Sequence, residues 1–91
     1  MAEIHKKTYT EWFEKILNGE KTYDCRLADF HIEPGDIIVL DEIDNDRNYT
    51  GRSIRKKVGS VGFTKEMANW HKSEDVDRYG YQIISLLGEA K

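Results

Sequence analysis

The sequence predicts a small α+β or mainly β domain: a partly closed, largely antiparallel β-barrel with two short helices at its rim. Three observations lead there. Apolar and β-branched stretches recur between short turn-rich segments, two other segments carry apolar residues at helical spacing, and consecutive strands are joined closely enough to pair as neighbours. The 91 residues leave room for one domain with a single modest core.

The first element is a helix over residues 8–18, where Trp12, Phe13, Ile16 and Leu17 fall at helical spacing. Thr8 and Glu11 have the spacing of a capping box, and Asn18-Gly19 supplies the stop. Residues 22–26 then favour a strand, which points Thr22, Asp24 and Arg26 to one face and Tyr23 and Cys25 to the other. Residues 27–34 form a connecting loop that ends in Pro34-Gly35, the centre of a tight turn.

The segment 36–43 reads as the next strand. Its apolar run, 37–40, predicts burial on both faces, and Asp41 and Glu42 predict emergence into solvent at the far end. The turn-rich residues 44–48 join it as a hairpin to a strand over 49–61. Alternation there sets Ile54 and Val58 on the face of Arg52 and Lys56, and Ser53, Arg55 and Lys57 on the other, while Gly59 and Gly62 mark a bulge or a barrel corner. Phe63, Met67 and Trp70 predict a short amphipathic helix over 64–71, followed by a charged loop, 72–78. The last strand, 80–87, supplies Ile83, Ile84, Leu86 and Leu87 to the core.

Composition narrows the function. Hydrophobic residues at 38% and charged residues at 34% fit a globular domain with a large wet surface rather than a disordered tail. A net charge of −3 argues against sequence-independent coating of a phosphate backbone and leaves only a local basic face. One cysteine, Cys25, and no charged-then-apolar leader predict an intracellular, cytoplasmic protein. The longest apolar run is far short of the roughly 20 residues that cross a bilayer, so no membrane role is indicated. His5, His31 and His71 lack metal-ligand spacing and the glycines are scattered singly, so no metal, ATP or dinucleotide cofactor is expected. Cys25, opposite Asp24 and Arg26, reads as a buried small hydrophobe rather than a nucleophile.

The densest chemistry lies in Gly19-Glu20-Lys21-Thr22-Tyr23-Asp24-Cys25-Arg26, a lysine, a carboxylate and an arginine within six residues. Taken alone it fits either a surface ion-pair cluster, worth about 0 to 1 kcal/mol per exposed pair, or a ligand site. A lysine and an arginine in a cleft suit a phosphate or polarised carbonyl, and the carboxylate can fix the arginine or accept a base amino group. A second basic run, Arg52, Arg55, Lys56 and Lys57 with Tyr49 ahead of it, reads either as a charge-protected exposed or edge strand or as a secondary nucleic-acid contact.

The eight-residue string resembles the Gly-x-Lys-x-x-Glu-x-Arg signature of the ASCH superfamily, with Asp24 in place of the usual glutamate. The likeness extends over residues 5–87, through the preceding helix, Pro34-Gly35-Asp36, Tyr49-Thr50-Gly51-Arg52 and the closing strand. It implies a PUA-like barrel and a cleft beside the first helix that carries Lys21, Asp24 and Arg26. The reading that follows is a binding module for RNA or a nucleotide-like ligand. Some members of the superfamily are amidohydrolases that deacetylate acetylcytidine, with a lysine, a threonine and a glutamate as the working group. The lysine matches Lys21, but the threonine position holds Asp24, and Thr22 is two residues away on the same predicted face. An enzyme here would use Lys21 and Asp24 on an acylated nucleoside, with water activated by a carboxylate and Glu74 or Asp75 as candidate second acid. A protein-interaction role is the third class the acidic balance leaves open.

Overall fold

The computed structural model describes residues 1–63 and 78–89. Among these residues five strands and one helix follow in the order β1 (Glu3–Tyr9), α1 (Thr10–Leu17), β2 (Tyr23–Leu27), β3 (Ile37–Ile43), β4 (Tyr49–Phe63) and β5 (Tyr81–Glu89). They form one mixed sheet in the order β1-β3-β4-β5-β2, in which β1 runs parallel to β3 and the other pairings are antiparallel. The helix expected over 64–71 and the loop with Glu74 and Asp75 lie outside the described residues.

The first strand is a correction to the sequence reading, which starts its helix at Thr8. Residues Ile4, Lys6 and Thr8 point inward in alternation with Glu3, His5, Lys7 and Tyr9, and Thr8 pairs in register with Glu42. The helix therefore begins at Thr10, and its N-cap, Tyr9, makes no side-chain capping bond. Local capping propensity loses to the ladder with β3.

Phe13 and Ile16 are the buried residues of α1, and they pack with Ile32, Ile38, Leu40, Ile54, Val58, Ile84 and Leu86. In the last strand only Ile84 and Leu86 enter this core, and Ile83 and Leu87 face outward. The Pro34-Gly35 turn forms as expected: Asp36 N–H donates to the Glu33 carbonyl and Gly35 has φ 93°, which the missing Cβ permits. Asp36 then ties the chain start to this turn by accepting the Ala2 and Glu33 N–H groups, which hold its carboxyl below the ordinary range. The strand register shifts between Lys56 and Val58 and between Val58 and Val61, around Gly59. A Cβ at Gly59 would stand 2.8 Å from Leu87 Cδ2, so this bend brings β5 close to the backbone of β4.

Glu42 does not emerge into solvent. It is 2% exposed, and Arg52 from the neighbouring strand donates from Nε and Nη2 to its two oxygens at 2.8 Å. Thr50 Oγ1 donates to the same carboxylate, and Arg52 Nη2 also donates to Glu14 of α1. The Arg52 hydrogen bonds, reinforced by Thr50, hold the Glu42 pKa down at about 2.

At the exposed edge, His5 Nδ1 lies 3.0 Å from Asp41 Oδ2 and Nε2 lies 3.3 Å from Glu3 Oε1. The Asp41 contact, followed by that of Glu3, raises the imidazole pKa above its ordinary 6.5. This contribution to stability is complete below the unfolded pKa and disappears as pH rises through the higher folded value. NMR titration should place His5 above the ordinary 6.5, and Asp41→Asn should bring it back down.

Candidate functional site

In a flat sheet the two edge strands, β1 and β2, would stand four strand spacings apart, about 19 Å. Instead, Arg26 Nη2 of β2 donates to Thr8 Oγ1 of β1 at 2.9 Å. The sheet therefore curls into a half-barrel whose seam is bridged by side chains, since β1 and β2 are not neighbours in the strand order. A cleft of about 400 Å³ opens at this seam, within the size range of small-molecule sites. It is lined by β1 (Lys7, Thr8, Tyr9), by Trp12 of α1, and by Lys21, Tyr23, Asp24, Cys25 and Arg26.

The three residues singled out from the sequence thus share one concavity. Asp24 faces inward at 4% exposure and accepts the Arg26 Nε–H at Oδ2, 2.5 Å away. Arg26 is held along one edge of its guanidinium, by Asp24 through Nε and by Thr8 through Nη2. That leaves the end-on pair, Nη1 and the second Nη2 proton, to make a bidentate contact with an oxyanion. Lys21 Nζ sits 4.9 Å from the Trp12 ring centroid and 5.2 Å from that of Tyr23. The rings hold the ammonium by cation–π attraction, and no carboxylate ion-pairs with it among the described residues.

Position in the chain explains this arrangement. The helix stop at Gly19, φ 85°, and the Lys21 N–H bond to the Lys15 carbonyl turn the chain into β2. Pairing of Asp24 with Ile84 and of Arg26 with Gln82 fixes these side chains on the inner face. Tyr23 and Cys25 accordingly point out, and Cys25 is exposed, not the buried hydrophobe expected. The alternation on β2 is the one predicted, with the buried face carrying the polar residues. Thr22 is exposed outside the cleft.

The second basic run is divided. Arg52 is engaged by Glu42 and Glu14, with its guanidinium carbon 4.9 Å from the Phe13 ring centroid, and Arg55 Nη1 pairs with Glu3 at 2.8 Å. The strand is not an edge: β4 lies between β3 and β5. Lys57 is exposed, Lys56 half-buried, and Tyr49 lies under Lys7, whose Nζ is 5.7 Å from its ring centroid. Reading the sequence missed Lys7, Thr8, Tyr9 and the role of Trp12 as a wall. The alternation of Ile4, Lys6 and Thr8 was the available signal for β1.

A small curled mixed-sheet domain with a cationic, aromatic-rimmed cleft at its seam is thus the class of protein that fold and site define. Residues 4–70 match the family described as a domain of unknown function, DUF3850, and the chain belongs to that family. An uncharacterized 12.9 kDa protein in the GpA 3′ region of Escherichia phage P2 is 30% identical over 71 residues, 77% of this chain. The match spans 62% of that relative's length. The crystal structure of hypothetical protein PH0355 has a similar fold, with a TM-score of 0.65, 23% identity and coverage of 94% of this chain and 97% of its own. No helix among the described residues is long and apolar enough to cross a membrane.

Proposed function

We propose that this domain is an ASCH-type, PUA-like binding module whose seam cleft engages RNA or a nucleotide-like ligand. The observation that carries the reading is the convergence of Lys21, Asp24 and Arg26 in one cleft, with Arg26 fixed by Asp24 and Thr8 and its end-on donors left for a ligand. Lys21 contacts phosphate or carbonyl oxygen, Arg26 makes the bidentate contact, and Asp24 orients Arg26 while its second oxygen can accept from a base amino group. Trp12 and Tyr23, 44% and 51% exposed, offer ring faces to a base.

The alternative, a small amidohydrolase acting on an acylated nucleoside, has less behind it. Asp24 already accepts from Arg26, Thr22 lies outside the cleft, and Thr8, the threonine in the cleft lining, accepts from Arg26 as well. A thermal-shift and tryptophan-fluorescence screen with mononucleotides and modified nucleosides tests both readings. Binding to the folded state should raise the melting temperature. Lys21→Ala should abolish the shift without unfolding the chain, and acetylcytidine should survive a long incubation unchanged by chromatography. Turnover lost in Lys21→Ala would replace the binding reading with the hydrolase, and the absence of any shift would remove both.

A further inference from the structure

We infer that the cleft is one subsite of a longer track that continues across β1 and β3 to Tyr49 of β4 and takes a single-stranded nucleic acid. This rests on the nucleotide-binding reading of the cleft and extends it from one nucleotide to a chain of them. Among the described residues, five aromatic side chains are exposed beyond a third of their surface: Tyr9, Trp12, Tyr23, Tyr49 and Tyr81. Three of them, Tyr9, Trp12 and Tyr23, line the cleft. A fourth, Tyr49, is 62% exposed and linked to the cleft by Lys7, which lines the cleft and places its ammonium over the Tyr49 ring.

Register makes the continuation physical. Tyr9 of β1 pairs with Ile43 of β3, and Ile43 with Tyr49 of β4, so the two tyrosines stand two strand spacings apart, about 10 Å. From the turn that joins β3 to β4, Arg47 Nη1 donates to Tyr9 Oη at 3.3 Å. Arg47 has a left-handed backbone, φ 67°, inside a hairpin turn that Asp44 fixes by accepting the Asp46 and Asn48 N–H groups. Neither Lys7 nor Arg47 has a carboxylate ion-pair partner among the described residues. The nearby carboxylates are otherwise engaged, Asp41 by His5 and Asp44 by the turn backbone.

Cations interleaved with exposed rings are the pattern that single strands require, because each base has a face to stack and each linkage a charge to neutralise. A free mononucleotide would fill the cleft and leave Arg47 and Tyr49, outside its lining, unused. A duplex would present its backbone rather than its base faces to these rings. The chain's net negative charge, −3, confines such a ligand to this local strip.

The test compares labelled rU6, rC6 and rA6, read by fluorescence anisotropy, with UMP, CMP and AMP, read by tryptophan quenching, on the full chain. At least one hexamer should bind about tenfold or more tightly than its monophosphate. Tyr49→Ala should lower hexamer affinity roughly tenfold and leave the monophosphate unchanged, and Tyr49→Phe should retain wild-type binding because the ring face remains. Arg47→Asn, a residue tolerated at positive φ, should weaken the hexamer alone. If Tyr49→Ala and Arg47→Asn leave hexamer affinity intact while Lys21→Ala lowers it, the track is refuted and the cleft reading stands. If hexamers and monophosphates both fail to bind, both readings fall together.

Discussion

Replacing Glu42 with alanine should lower the stability of the domain by about 2 to 3 kcal/mol, the cost of leaving one partner of a buried ion pair unmatched, here moderated because Arg52 is half exposed. For a domain of this size that corresponds to a fall in melting temperature of roughly 10 to 20 °C. The substitution removes an acceptor for Arg52 and Thr50 at once and opens a space beside the core at the far end of β3. Acid titration supplies a second signature. The folded carboxyl protonates at about 2 and its ordinary value is 4.5, so the stabilisation is complete above pH 4.5 and is lost as pH falls toward 2. Denaturant melts of wild type and Glu42→Ala should therefore differ most near neutrality and converge in strong acid. A pH-independent difference would mean that packing, not the ion pair, is the source.

This cluster also bears on the cleft. Arg52 grips Glu14 and lies against the Phe13 ring, so it anchors α1 to the β3–β4 hairpin, and Trp12 on that helix forms one cleft wall. Glu42→Ala should consequently broaden or shift the Trp12 emission, read in a Trp70→Phe chain, before the domain unfolds, with Ile38→Val as a control for core truncation that leaves the Glu42–Arg52–Glu14 cluster intact.

The parts of this fold that local chemistry dictates were legible in the sequence. Pro34-Gly35 makes its turn, residues 44–48 make theirs, and the motif strand alternates as its residue types require. What stayed hidden depends on pairing between distant segments. β1 has only one aliphatic residue facing inward, Ile4, and becomes a strand because β3 lies alongside it. Thr8 satisfies a capping pattern locally yet serves as the acceptor that braces Arg26 across the seam. Glu42 reads as a solvent charge until Arg52 is known to lie across from it, and that same pairing withdraws Arg52 from the basic run. Cys25 illustrates a different failure: alternation assigned it the correct face of β2, but which face was buried depended on how the sheet curls.

The curl also decides which cations a nucleic acid can reach, and salt dependence should report it. Arg26→Ala should weaken hexamer binding by about ten- to a hundredfold, because it removes a charge-assisted fork from a partly enclosed cleft. Lys57→Ala, on the exposed surface of β4, should change it less than about threefold. Since Arg26 also partners buried Asp24, Arg26→Lys serves as the companion: it keeps a cation near Asp24, loses the fork, and should give an intermediate affinity in a chain whose melting is checked alongside. If Lys7, Lys21, Arg26 and Arg47 each neutralise one phosphate, the logarithm of affinity should fall against the logarithm of salt with a slope of about −2.8 for the hexamer, at about −0.7 per contact. A monophosphate, with a single phosphate and no condensed counterion atmosphere, should show a markedly shallower slope. The two slopes together measure how far the ligand extends from the cleft. A hexamer slope steeper than about −4, with a larger loss from Lys57→Ala than from Arg26→Ala, would move the binding surface off the seam and onto β4.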